Sequence, residues 1–216
     1  MKLILNELYR LVHDRTVLIA SAIFAAVIGP LYATRGFHGT PAMLLANPMA
    51  PIWAGVILAP LMISSGYENR TTGLVLSSGQ RPIAVAVVRT LVCCVFTAIS
   101  AGVTQIISAV ISVGVGSFDG EFFLALLRSM LIAMGCAAIP ALMAWLIRSP
   151  FACIVVCAGA TYILMQASED ILRFHPVSRL GEAVTELSAE TTLLCIGLIA
   201  AAVLAGWLIL RFSDIR

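Results

Sequence analysis

The chain has 216 residues, of which 61% are hydrophobic and 11% charged, with a mean hydropathy of +1.04. A soluble domain carries about 45–50% apolar and about 25% charged residues, so this composition specifies an integral membrane protein. It leaves no room for a soluble domain of useful size. A formal net charge of +2 gives no electrostatic footprint for nucleic acid.

Residues 1–15 are amphipathic. Ile4, Leu8, Leu11 and Val12 share one face, and Glu7, Arg10 and Asp14 share another. Charges stand where the uninterrupted apolar core of a signal peptide would be, so the pattern predicts a helix lying on the membrane surface. The first apolar run is Val17–Leu31, ended by Gly29-Pro30 and followed by a loop with Arg35, His38, Pro41, Pro48 and Pro51. The second run, Ile52–Ile63, contains Pro60 as an expected kink. A polar segment, Ser64–Arg81, follows. The third run, about Ile83 to Gly116, exceeds one span, so its first turns should protrude into water. Ser108, Ser112 and Gly116 in it, at four-residue spacing, offer a small-residue stripe for helix packing. The fourth run, Phe122–Ile147, is interrupted by Pro140, and Arg148-Ser149-Pro150 turn the chain into the fifth, Phe151–Gln166. A polar segment at 168–190, read as two short amphipathic helices split by His175-Pro176, precedes the sixth, Thr191–Leu210. The fold class expected is therefore all-α integral membrane, a single transmembrane domain over residues 1–216 with six transmembrane helices.

Charge asymmetry sets the orientation. With a cytoplasmic N-terminus, Lys2, Arg10, Arg15, Arg70, Arg81, Arg89, Arg148, Arg211 and Arg216 fall inside, and Arg35, Arg128, Arg173 and Arg179 fall outside. Acidic residues tilt the other way. The positive-inside rule then puts both termini, and Ser64–Arg81, on the cytoplasmic side of a multi-pass protein of the cytoplasmic membrane.

Chemistry-bearing motifs are sparse. Lys2 is the only Lys, so the Gly-Lys-Ser/Thr core of a P-loop cannot be formed and ATP hydrolysis of that kind must belong to another chain. His13, His38 and His175 are scattered and no carboxylate pair lies in a span, which argues against an intramembrane enzyme. The six Cys all sit in apolar runs; Cys153 and Cys157 share a helical face, but no His or carboxylate nearby completes a metal site, so they read as packing residues. Intramembrane polar groups are limited to Gln105, Arg128 and Gln166, with Arg89 near the inner face. Such groups mark a pathway or pair with a partner, and their scarcity counts against a proton-coupled carrier.

The segment Ser64–Arg81 is a polar island in an apolar chain. It reads as a short amphipathic helix in which Leu74, Val75 and Leu76 supply the apolar side, Thr71-Thr72-Gly73 a break, and Gly79-Gln80-Arg81-Pro82 the end. The order Glu68, Thr72-Gly73, Leu74-Val75-Leu76-Ser77, Ser78-Gly79-Gln80-Arg81 and Arg89 resembles the type-2 class of ABC exporter permeases. The family pattern has Gly-Thr where this chain has Thr72-Gly73, Ser where it has Gln80, and Lys where it has Arg89. The resemblance covers the layout of the whole chain and about 20 residues of motif. It implies that Ser64–Arg81 is a coupling helix that docks into a separate ATP-binding subunit through Glu68, Arg70, Thr72, Gly73 and Arg81. It also implies a second permease copy or paralogue, ATP and Mg held by the partner with no cofactor in this chain, and an outer helical hairpin capping the translocation path. Gln105, Arg128, Gln166 and His175 are the candidate path or gate residues. The substrate class implied is amphipathic: a peptide antibiotic, a drug or a lipid-like molecule. A secondary transporter or a non-transporting membrane partner is the alternative.

Overall fold

The computed structural model describes residues 2–33, 45, 49–68, 71–114, 118–165 and 186–212. These form eight helices: α1 (Lys2–His13), α2 (Arg15–Ala33), α3 (Met49–Glu68), α4 (Thr71–Ser77), α5 (Pro82–Val113), α6 (Gly120–Leu146), α7 (Pro150–Met165) and α8 (Ala189–Phe212). Four of them, α3, α5, α6 and α8, are long and apolar enough to cross a membrane. A fifth span arises if α1 and α2, which meet at 65°, count as one broken element. The 16-residue α7 is shorter than a span. The expected six-helix layout is thus met in full length by four helices among the described residues.

Element ends follow local chemistry. Asp14 leaves the helical path between α1 and α2, and its Oδ1 accepts from the backbone N–H of Thr16 (3.1 Å) and Val17 (3.4 Å), capping the first turn of α2. Asp119 does the same for α6 through Phe122 N–H at 2.8 Å. Pro82 opens α5, where a missing N–H costs nothing. Two expected boundaries move. Pro30 does not end α2, which continues to Ala33. Likewise α3 runs five residues past Ile63 through Glu68, so the polar segment begins inside a helix.

Helix directions alternate along the chain. Ser21 Oγ meets Ser100 Oγ at 2.9 Å and Ser108 Oγ donates to Gly29 O at 3.0 Å, both pairs 79 residues apart, so α2 and α5 run the same way. Trp145 pairs with Thr90 and Ser129 with Gln105, so α6 runs opposite to α5. Gly55 lies against the backbone of Ala137, and Ser64 reaches Ala144 O, which makes α3 parallel to α6. A chain threading back and forth across a bilayer requires this alternation.

The main core joins α1, α2, α3, α5, α6, α7 and α8 through Leu11, Val17, Ile63, Val85, Trp145, Cys153 and Leu210. Small residues permit the close approaches: a Cβ on Gly55 would sit 3.2 Å from Ala137 Cα, as expected where packing replaces the hydrophobic effect between membrane helices. Cys153 and Cys157 sulfurs are 3.8 Å apart and unbonded. Of the small-residue stripe in α5, Ser108 is buried at the α2 contact, Ser112 is exposed, and Gly116 lies outside the described residues.

One end of the bundle gathers the cations. Arg10, Arg89 and Arg148 surround the C-terminal end of α3, and Arg211 follows the buried Leu210 at the end of α8. Arg81 immediately precedes α5 at the same end. Arg128, half-buried, lies two turns from the opposite end of α6. Among the described residues the charge asymmetry of the sequence is therefore also a spatial one.

Candidate functional site

The sequence places Glu7 on the solvated polar face of an amphipathic helix. The structure reverses this. Glu7 is 3% exposed, and α1 turns its charged side toward the bundle. Ile4, Leu5, Leu8, Tyr9 and Val12, all at least 45% exposed, face outward. A helix with charge inside and apolar groups outside is stable only where the outer solvent is lipid and the inner charges are paired.

They are paired. Arg89 Nε donates to Glu7 Oε1 at 2.8 Å, and Arg10 Nε donates to Glu7 Oε2 at 2.9 Å. One carboxylate is thus held between two guanidinium groups. Arg10 Nη2 donates to Met62 O at 2.9 Å, and Arg89 Nη1 donates to Thr72 Oγ1. The fork geometry of Arg lets one side chain satisfy two elements together, which a Lys ammonium does less well. Four helices, α1, α3, α4 and α5, are tied at this junction.

Gly66 makes the junction possible. A Cβ there would stand 2.7 Å from Arg89 Nη1 and 3.1 Å from Thr72 Oγ1, so any side chain would push Arg89 away from α4. Next to it Tyr67 stacks edge-on against Trp145, ring centroids 6.1 Å apart, and carries Arg148 over its ring at 5.5 Å.

Helix α4 is a seven-residue rod with two different sides. Thr72 is buried, and Val75 and Leu76 rest on the main core. Leu74 is 68% exposed, and Ser77, Ser78, Gly79, Gln80 and Arg81 are exposed with it. Ser77 and Ser78 hydroxyls donate back to Leu74 O and Val75 O, and Gly79 at φ +83° stops the helix in a conformation that favours glycine. Thr71-Thr72-Gly73 therefore form the first turn of this rod. They do not break it, because Thr72 is pinned by Arg89.

Of the candidate coupling residues, Thr72 is buried, Gly73 half-buried and Arg81 exposed. Glu68 ends α3 with its side chain outside the described residues, and Arg70 lies outside them altogether. Of the candidate path residues, Gln105 is buried and exchanges two hydrogen bonds with Ser129 (2.8 and 3.0 Å) while donating to Leu45 O at 3.3 Å. Its polar atoms are used within the bundle. Gln105→Leu should therefore cost about 1 kcal/mol, the scale of interhelical hydrogen bonds in membranes, read as a small fall in the melting temperature of the detergent-solubilised protein. Gln166, His175 and most of the outer hairpin lie outside the described residues.

Glu7 and Arg10 escaped the reading of the sequence. The structure moves Leu11, 3% exposed, from the face of Ile4, Leu8 and Val12 to the inward stripe of Leu3, Glu7 and Arg10, and an Arg set seven residues into an apolar helix needs a counter-ion. No group of three or more metal-ligating side chains exists among the described residues. The arrangement joins the seven-residue α4 to the longer helices α1, α3 and α5. Comparison of the chain with protein-family models and with curated protein sequences finds no match.

Proposed function

We propose that this chain is the membrane-spanning permease subunit of an ATP-driven exporter of the type-2 ABC class. In this reading α4 is the coupling helix that docks on a separate ATP-binding subunit. One observation carries it: a short rod at the cation-rich end, anchored by Thr72 and Arg89 on one side and presenting Leu74 and Arg81 on the other. An exposed Leu followed by the exposed Ser77, Ser78 and Arg81 is the make-up of a small docking knob, with Arg available for bidentate contact to acidic groups. The missing P-loop Lys fits the same division of labour. Two permease copies, or this chain and a paralogue, would enclose a path for an amphipathic substrate such as a peptide antibiotic, drug or lipid-like molecule. Both termini would be cytoplasmic, and ATP and Mg would be bound by the partner.

The experiment is co-purification of the tagged chain with an ATP-binding subunit, which this reading expects to be encoded beside it. Leu74→Asp combined with Arg81→Ala should reduce the recovered partner at least tenfold while leaving the melting temperature unchanged, since both side chains are exposed. Full recovery of the partner with the double variant would remove α4 as the docking element.

A further inference from the structure

We propose that Cys153 and Cys157 form a dithiol site for a trivalent arsenical carrying one small apolar substituent, which the cavity between α3, α6 and α7 receives. The inference concerns this chain alone and stands apart from the exporter reading.

Both thiols lie on the inward side of α7, one helical turn apart, 0% and 6% exposed. Their sulfurs are 3.8 Å apart, and both are free. Cys157 also lines a cavity of about 140 Å³, walled by Ile52 and Val56 of α3, Pro140 and Met143 of α6 and Val156 of α7. An apolar cavity of roughly 150 Å³ takes one benzene molecule and stays dry without it. The space therefore fits a phenyl-sized group whose attached atom meets Cys157.

The sulfur separation selects the bridging centre. With bonds to sulfur of about 2.3 Å, as in a zinc thiolate, two sulfurs on opposite sides of a linear centre stand about 4.6 Å apart. The observed 3.8 Å corresponds instead to a bent angle of about 110° at a centre with such bonds. A tetrahedral metal has that angle but needs four ligands, and no group of three or more His, Cys, Asp or Glu side chains exists among the described residues to supply them. Trivalent arsenic is also bent, takes two sulfurs and keeps its own third substituent. Condensation of R–As(OH)2 with the two thiols forms two As–S bonds, breaks two As–O and two S–H bonds, and releases two waters. Arsenic stays trivalent and no charge is left behind, which suits an apolar interior where an ion would be costly.

The test uses the purified, reduced full chain in detergent, with phenylarsine oxide as the probe. Intact mass spectrometry should show one phenylarsenic group gained with the loss of two thiols, and peptide mapping should put it on Cys153 and Cys157. A small dithiol should remove it and the same concentration of a monothiol should not, which is the behaviour of a centre held by two sulfurs. Cys157→Ala should weaken binding at least tenfold. A biphenyl arsenical should also bind at least tenfold more weakly than the phenyl compound, because one ring fills the cavity. Adducts of the unaltered chain mapped to Cys93 and Cys94, or to Cys136 and Cys195, would overturn the proposal whatever the variant does. Release by the monothiol, or equal binding of the two arsenicals, would overturn it as well.

Discussion

Glu7→Ala is expected to destabilise the protein by about 3–5 kcal/mol, because it leaves the guanidinium of Arg89, 2% exposed, without its carboxylate. For a chain of this size that is a fall of roughly 6–20 °C in melting temperature, measurable by thermal unfolding in detergent. Arg89→Ala should cost less than Glu7→Ala, because Glu7 keeps its ion pair with Arg10. The double replacement Glu7→Leu with Arg89→Met should recover most of the loss, since a buried ion pair contributes little beyond an apolar pair of similar volume. Thr72→Val separates anchoring from stability. It removes only the link from Arg89 to α4, costs about 1 kcal/mol, and on the exporter reading should lower transport per ATP hydrolysed more than it lowers stability. A destabilisation of Glu7→Ala below about 1 kcal/mol would mean that the charges are solvated and that α1 is not fixed to α5.

Trp145→Ala is expected to cost about 3–5 kcal/mol, the range for deleting a large buried aromatic. Trp145 is 0% exposed and joins three helices to α6: its Nε1 donates to Thr90 Oγ1 at 3.2 Å, its ring meets Tyr67, and Gly206 of α8 lies against its face. The reciprocal substitution tests the same contact from α8. A Cβ at Gly206 would fall 2.6 Å from Trp145 Cε2, so Gly206→Ala must move the indole and should cost about 1–3 kcal/mol by overpacking. Both are read by chemical denaturation followed through tryptophan fluorescence. Unchanged stability in Gly206→Ala would show that α8 yields at this contact.

Hydropathy and composition alone specify an all-helical, membrane-compatible chain and the rough positions of its helices. The helix start at Pro82, the turn at Arg148-Ser149-Pro150 and the uneven distribution of Arg all follow from local chemistry and hydropathy, which depend on neighbours in the chain. Membrane composition is legible for the same reason, since every span must satisfy its own backbone. The polar island from Ser64 to Arg81 was legible as an anomaly, and so was the place where it stops, at Gly79.

Which side of α1 faces inward emerges from the packing of the helices. Amphipathicity fixes two faces but not which of them meets the bundle, because in a bilayer the apolar face can look outward to lipid. The pairing of Glu7 with Arg89, 82 residues away, brings together charges that no local pattern relates. The roles of Gly66 and Gly206 are equally invisible in one dimension: each is a space that an arginine or an indole from another helix must occupy. Desolvation is the common cause. A buried charge or a close helix contact is set by what arrives from elsewhere in the fold, and that information appears only when the helices are packed.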